Sequence, residues 1–273
     1  MAFGIALAVR SRVRTCTPAL FDQVADGEQT PRVCAEIKDA LEKVRRGEMC
    51  REDFETFKAE QKKRLAIFTP HATFPKGRRV NEDAVPSGLS MYDVDHISLT
   101  PGPSPRGEGS FYQRLVEHTL AIEPITDEWM IAELKRLGIC LVHVTPSTEG
   151  FRLFFKIPEH LYTPLSMGEG QEVRLLEEAQ KWMSEQLGDE HYDGCVKDLA
   201  RCSFVVPRDY ILYLDEEELF TDELRRPKVE VVAKGEEEVL KEEVLPVSTF
   251  KGIPYKDIIA EWWRRNGGEP SEG

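Results

Sequence analysis

Between residues 88 and 206 the apolar pattern changes period in an order that reads strand, helix, strand, strand, helix, strand. GLSMYDVDHI (88–97) is β-prone in its middle and follows a Pro-Ser-Gly turn. Thr126 is placed to cap a helix in which Trp129, Met130, Leu134 and Leu137 form the apolar stripe and Gly138 the stop. ICLVHV (139–144) and FRLFFKI (151–157) are strands joined by TPSTEG, which makes a hairpin. Leu176, Ala179, Met183 and Leu187 mark a second helix closed by Gly188, and CSFVV (202–206) is the last strand. This order predicts an α+β fold: a split β-α-β-β-α-β unit whose antiparallel sheet carries helices on one face and leaves the other free for a ligand.

The flanks divide the chain into residues 1–87, 88–215 and 216–273. In the first, an α/β unit, Thr30-Pro31 reads as an N-cap with proline at the first helical position, Val33, Ile37, Leu41 and Val44 follow at helical spacing, and Gly47 ends the pattern. A second helix is expected over 51–64 and a short strand at LAIFT (65–69), followed by a basic loop, HATFPKGRR (71–79). The last part is an acidic extension whose end, FKGIPYKDIIAEWWRRNGGEPSEG, reads as a linker into a further domain. PSPRGEG (103–109) and PLSMGEG (164–170) share a P-x-x-x-G-E-G pattern between elements, read as surface loops without chemistry.

Charge limits the choice of partner. The 273 residues carry a formal net charge of −13, so the whole molecule repels phosphate and any nucleic-acid contact must come from local patches. Residues 1–82 hold 16 Lys and Arg against 12 Asp and Glu, clustered at Arg10/Arg12/Arg14, Lys62/Lys63/Arg64 and Lys76/Arg78/Arg79. Residues 214–243 hold 5 against 12. No run approaches the ~20 apolar residues of a membrane span, the apolar N-terminal stretch is too short for a signal peptide, and a cytoplasmic location is expected. Six cysteines without a C-x-x-C pair read as reduced thiols, and the spacing of His191, Cys195 and Cys202 matches no common zinc pattern.

Asp93 and Asp95 project from one face of the first strand, about 6 to 7 Å apart. Without an intervening cation they repel, so removing Asp93 is expected to leave the melting temperature unchanged or raised. Hard divalent cations take such oxygens. On the hairpin, alternation sends Arg152, Phe154 and Lys156 to one face; if that face bears the aspartates, Arg152 and Lys156 are placed to hold a triphosphate. Ser147 and Thr148 add hydroxyls, Asp193 and Asp198 are candidate third carboxylates, and Arg201 opens the last strand. Lys76, Arg78 and Arg79 are expected on the rim of the same cleft, against template or primer phosphate.

Tyr92-Asp93-Val94-Asp95, Ser147-Thr148-Glu149-Gly150-Phe151-Arg152, and Tyr192-Asp193 with Arg201 eight residues on together resemble the archaeo-eukaryotic primase superfamily, also called primase-polymerases. More narrowly, FTPHATFPKGRR, PSGLSMYDVDHI, VTPSTEGFRLFF and YDGCVKDLARCSFVVPRDYILY resemble the primase-like N-terminal domain found ahead of helicases in virulence-associated-protein-E-type mobile-element proteins, over roughly residues 60–215. The resemblance implies an RRM-like catalytic core that uses Mg²⁺ or Mn²⁺ held by Asp93, Asp95 and Asp193. It places Ser147, Arg152 and Arg201 at the nucleotide. The implied activity is nucleotidyl transfer from NTP or dNTP to a 3′-hydroxyl on a DNA template, with a helicase as partner. A non-catalytic nucleic-acid or nucleotide-binding domain serving that helicase, and a metal-dependent nuclease, are the alternatives. The superfamily usually has His where this chain has Arg152; arginine clamps phosphate bidentately but is no acid or base near pH 7.

Overall fold

Leu89, Met91 and Asp93 alternate with Ser90, Tyr92 and Val94, and two different layers bury the two sets. The computed structural model describes residues 3–95, 97, 110–162, 172–189 and 198–221, with the short strands at 249–250 and 253–254. The fold is α+β, with antiparallel sheets.

In chain order its elements begin with β1 (Gly4–Ala6), β2 (Arg14–Thr15), α1 (Pro18–Ala25), α2 (Gln29–Arg45), α3 (Arg51–Lys62), β3 (Ile67–Thr69), β4 (Ala72–Thr73) and β5 (Val85–Pro86). Then come β6 (Leu89–Val94), α4 (Phe111–Ala121), α5 (Glu128–Arg136), β7 (Ile139–Val144), β8 (Phe151–Lys156) and α6 (Glu172–Leu187). The unit Met1–Lys228 closes with β9 (Ser203–Phe204), β10 (Ile211–Leu214) and α7 (Glu216–Leu219). A separate unit, Val229–Gly273, contains the antiparallel pair β11 (Thr249–Phe250) and β12 (Ile253–Pro254).

The central sheet runs β10-β7-β8-β6, so β8 lies antiparallel between β6 and β7. Two helices rather than one cross from β6 to β7. The strand at 203–204 does not close this sheet, contrary to the sequence reading: β9 pairs with β3 in the second sheet, β2-β1-β3-β9, and Ile211–Leu214 takes the edge beside β7. Apolar alternation identifies a strand but not its neighbour.

Nor is the face bearing Asp93 free. Leu89, Met91, Leu141 and Phe154 on it are buried in one cluster with Phe3, Ile5, Phe68 and Val205 of the N-terminal layer. Phe154 meets Phe68 edge-on at 5.9 Å and Phe3 at 6.2 Å. Burying one such ring contributes about 1.5–3 kcal/mol, which favours closing the two sheets on each other. On the opposite face Tyr92, Val142, Leu153 and Phe155 pack with Met130 and Leu134 of α5 and Ala179 and Met183 of α6. Leu176, Ala179, Met183 and Leu187 are all buried, as their spacing predicts. Trp129 is not part of the α5 stripe; it is 47% exposed, beneath the Arg114 guanidinium.

Two helix starts also differ from the sequence reading. Helix α2 begins at Gln29, and the Thr30 hydroxyl donates to Val24 O instead of capping. Asp127, not Thr126, caps α5 by accepting from Met130 N–H. Strand β6 lies at the sheet edge, and side chains satisfy its outward groups. Met91 N–H donates to His71 Nε2 at 3.1 Å and Met91 O accepts from Gln180.

Candidate active site

Antiparallel register sets Arg152 of β8 opposite Asp93 on one side and His143 of β7 on the other. The three side chains therefore form a row across the sheet. Arg152 Nε and Nη2 donate to the two Asp93 carboxylate oxygens at 2.8 and 2.7 Å, a bidentate pair. The side chains are 11% and 7% exposed, so the pair is largely withdrawn from water. Burial disfavours the guanidinium charge, yet the Asp93 carboxylate holds Arg152 above its ordinary pKa.

The row continues into the second sheet. Arg152 Nη1 donates to Ser203 Oγ at 3.1 Å, and Ser203 Oγ lies 3.2 Å from His143 Nε2. His143 Nδ1 donates to Val144 O at 2.9 Å, which leaves Nε2 to accept the serine proton. Burial pushes the His143 pKa down to about 4, so the ring is neutral at pH 7. Each polar group in the row therefore has a partner of the right kind, and the row fixes Arg152 from both sheets.

The turn before β8 sets this register. A Cβ on Gly150 would lie 2.0 Å from Val94 O, so only glycine lets the hairpin press against the end of β6. Thr148 turns at φ 58°, its N–H donating to Thr145 O at 2.9 Å.

Asp95 is exposed just beyond β6. Lys62, at the end of α3, lies over the ring of Phe204, the residue after Ser203, with Nζ 5.6 Å from the ring centroid: burial first, then the charges of Arg152 and Lys58, push its pKa down, while Asp95 and Asp93 oppose that shift. Arg51 and Lys58 of α3 hold Glu149 of the hairpin at 2.5 and 3.5 Å. Residues 51, 58 and 62 share one helix face, a spacing readable in the sequence, but Lys62 drew notice there only as part of a basic run.

The structure brings together Asp93, Asp95 and Arg152, with Lys62 added. It does not bring Lys156 to them. Lys156 is on the same face but about 13 Å along the strand, paired with Glu218. Ser147 is buried inside its own hairpin, with Oγ 3.4 Å from Thr145 Oγ1. Asp198 Oδ1 accepts from Ala200 N–H and so caps a local turn, which Arg201 N–H closes by donating to Asp198 O. Asp193 lies outside the described residues, as do both P-x-x-x-G-E-G segments. Among the described residues no group of three or more His, Cys, Asp or Glu is arranged to hold a metal ion.

In the basic loop Lys76 and Arg78 reach Asp83, whose carboxyl is held below its usual pKa by the Lys76 hydrogen bond first. Arg79 Nη1 donates to Ala200 O at 3.1 Å and Cys202 Sγ at 2.9 Å, next to Ser203. Cys16, Cys34, Cys50, Cys140 and Cys202 are free thiols.

No family model matches the chain, and no curated protein or solved structure matches it. Among the described residues no helix is long and apolar enough to cross a membrane.

Proposed function

We propose that the protein is a metal-dependent nucleotidyltransferase with an RRM-like core of primase-polymerase type, acting on DNA in a mobile or phage-like element. The observation that carries this reading is the meeting of two carboxylates, Asp93 and Asp95, with two cations, Arg152 and Lys62, where the two sheets meet. The carboxylates suit a divalent cation and the cations suit a triphosphate.

Hard oxygen donors at one strand end fit Mg²⁺ or Mn²⁺. Both Asp93 oxygens accept from Arg152, so an ion at Asp93 shares the carboxylate with the guanidinium and is favoured when the guanidinium turns to another anion. When bound, the ion would supply positive charge that stabilises the attacking and leaving oxygens. Arg152 carries a planar fork that fits a phosphate as well as a carboxylate, so an incoming triphosphate competes with Asp93 for it. Lys62, whose charge burial disfavours, is relieved by the same phosphates. Neutral His143 orients Ser203, and Ser203 in turn limits how far Arg152 moves.

One observation favours a second reading. Arg152 neutralises Asp93 without any metal, which suits a non-catalytic nucleotide or nucleic-acid-binding domain that serves a helicase. Incorporation of labelled NTP or dNTP on primed and unprimed DNA templates, with Mg²⁺ or Mn²⁺, separates the two. Template-dependent growth that Asp93→Asn abolishes supports transfer. Binding without growth moves the reading to the non-catalytic domain, and strand shortening to a nuclease.

A further inference from the structure

The basic loop is one wall of a larger feature. Arg10 and Arg12, in the connection from β1 to β2, face Lys76, Arg78 and Arg79 across a groove of about 620 Å³. Five cations thus line one concavity on a chain whose formal charge is −13. Its two walls are clamped together. Val13 N–H donates to Gly77 O at 3.0 Å, and Arg12 lies so close over Gly77 that a Cβ there would meet its Nε at 2.2 Å. Gly77 also turns at φ +75°, a conformation other residues rarely adopt. Asp83, 2% exposed beneath the groove, anchors Lys76 and Arg78, both of whose side chains remain 70% exposed. The cationic heads are therefore held in place and still accessible, which lowers the ordering cost of binding a polyanion.

We propose that this groove binds single-stranded nucleic acid, with its phosphates along Arg10, Arg12, Lys76 and Arg78. Arg79, tied to Ala200 and Cys202 beside Ser203, marks the end of the groove nearest Asp93. Four of the five cations are arginines, whose forks match phosphate oxygens bidentately. Leu7 and Val80, close in sequence to the two walls, are 50% and 38% exposed, two of only four large apolar side chains so exposed among the described residues. A single strand offers unpaired base faces to such side chains, whereas a duplex hides them. A concave surface suits a chain of phosphates better than a flat lipid layer. The inference deepens the reading of the protein as one that acts on nucleic acid, but it does not require the transfer reaction.

The test is fluorescence anisotropy of a labelled 20-nucleotide single strand with the full chain, without metal or nucleoside triphosphate, across a salt series. If Arg10, Arg12, Lys76 and Arg78 each meet a phosphate, the plot of log K against log salt has a slope of about −2.8, at roughly 0.7 per contact. Arg10→Ala/Arg12→Ala should weaken binding about tenfold or more at low salt and reduce the slope by about 1.4. Gly77→Ala, which displaces Arg12 without removing a charge, should also weaken it. Unchanged affinity and slope in the double variant overturn the proposal. So does equal competition by inorganic phosphate or a free nucleotide, which would mark a small-ligand site. Loss of binding to phosphatidylserine vesicles with retained oligonucleotide binding would assign the groove to lipid. Oligonucleotide binding that needs the groove, without nucleotide incorporation, leaves this proposal standing and removes the transfer reading; incorporation with binding indifferent to the groove does the reverse.

Discussion

Arg152 holds both carboxylate oxygens of Asp93 across the β6–β8 register, at 2.8 and 2.7 Å, in a position from which water is nearly excluded. This reverses the stability expected for Asp93 from its sequence context. With Asp95 alone as neighbour, removing Asp93 would relieve repulsion. With Arg152 as partner, removal leaves a buried guanidinium uncompensated.

Asp93→Ala should therefore destabilise the fold by about 3 kcal/mol, within the range for breaking a buried pair from one side. Urea unfolding of the variant checks this. A melting temperature equal to or above wild type would mean that Arg152 leaves the row easily and that the pair contributes little.

Arg152 also governs access to Asp93. Arg152→Ala should weaken triphosphate binding by about 2 kcal/mol or more, and it should tighten nucleotide-free Mn²⁺ binding, because Asp93 loses its internal counter-ion. Titration calorimetry with a non-hydrolysable triphosphate, and Mn²⁺ electron paramagnetic resonance, read the two effects separately. Arg152→Lys keeps the charge but not the fork, and should recover part of each. If no Arg152 variant alters either affinity, the row is structural.

How far this could be read in advance differs from residue to residue. The helix at 172–187 was legible because Leu176, Ala179, Met183 and Leu187 repeat at helical spacing and Gly188, at φ 68°, ends the pattern. Asp93 was legible as an acid on an apolar strand. Its partnership with Arg152 was not, because alternation gives the face of each strand but not the register between strands 59 residues apart. Helix α4 was missed although Ser110, which accepts from Gln113 N–H, has the spacing of a capping box; loop composition just before it masked the signal. Ser203 reached the site through a change of sheet that no local pattern announces.

Two buried histidines predict the acid limb of stability. Burial first pushes His71 and His143 down to about 4 from an ordinary 6.5. His71 Nε2 accepts Met91 N–H while Nδ1 donates to Asp198 O at 2.9 Å, so a second ring proton would face another N–H. The unfolded chain binds these protons at higher pH than the fold does. The contribution is thus fully present above about pH 6.5 and is lost as pH falls through about 4. Each ring supplies on the order of 3 kcal/mol across that window. Unfolding free energy measured from pH 7 to 4 should fall more steeply for wild type than for His143→Asn. Parallel curves would show that His143 does not titrate on unfolding as its burial implies.

Gly150 tests whether the hairpin sets the Asp93–Arg152 register. A methyl group there meets Val94 O at 2.0 Å and Asp95 Cα at 3.1 Å, both backbone atoms that a rotamer change cannot move. Gly150→Ala therefore has to push the start of β8 away from the end of β6. Overpacking of this kind costs about 1–3 kcal/mol, and the shift also lengthens the Arg152 bonds to Asp93. Gly47, which unlike Gly150 sits at positive φ and has nothing within 4 Å of its Cβ position, separates backbone strain from collision. Gly47→Ala should cost about 1 kcal/mol and leave triphosphate affinity unchanged. Gly150→Ala should cost more and weaken triphosphate binding, because its displacement is transmitted through two residues to Arg152. Equal stability losses in the two variants, with triphosphate affinity intact in both, would mean that β8 holds its register without the close approach at Gly150.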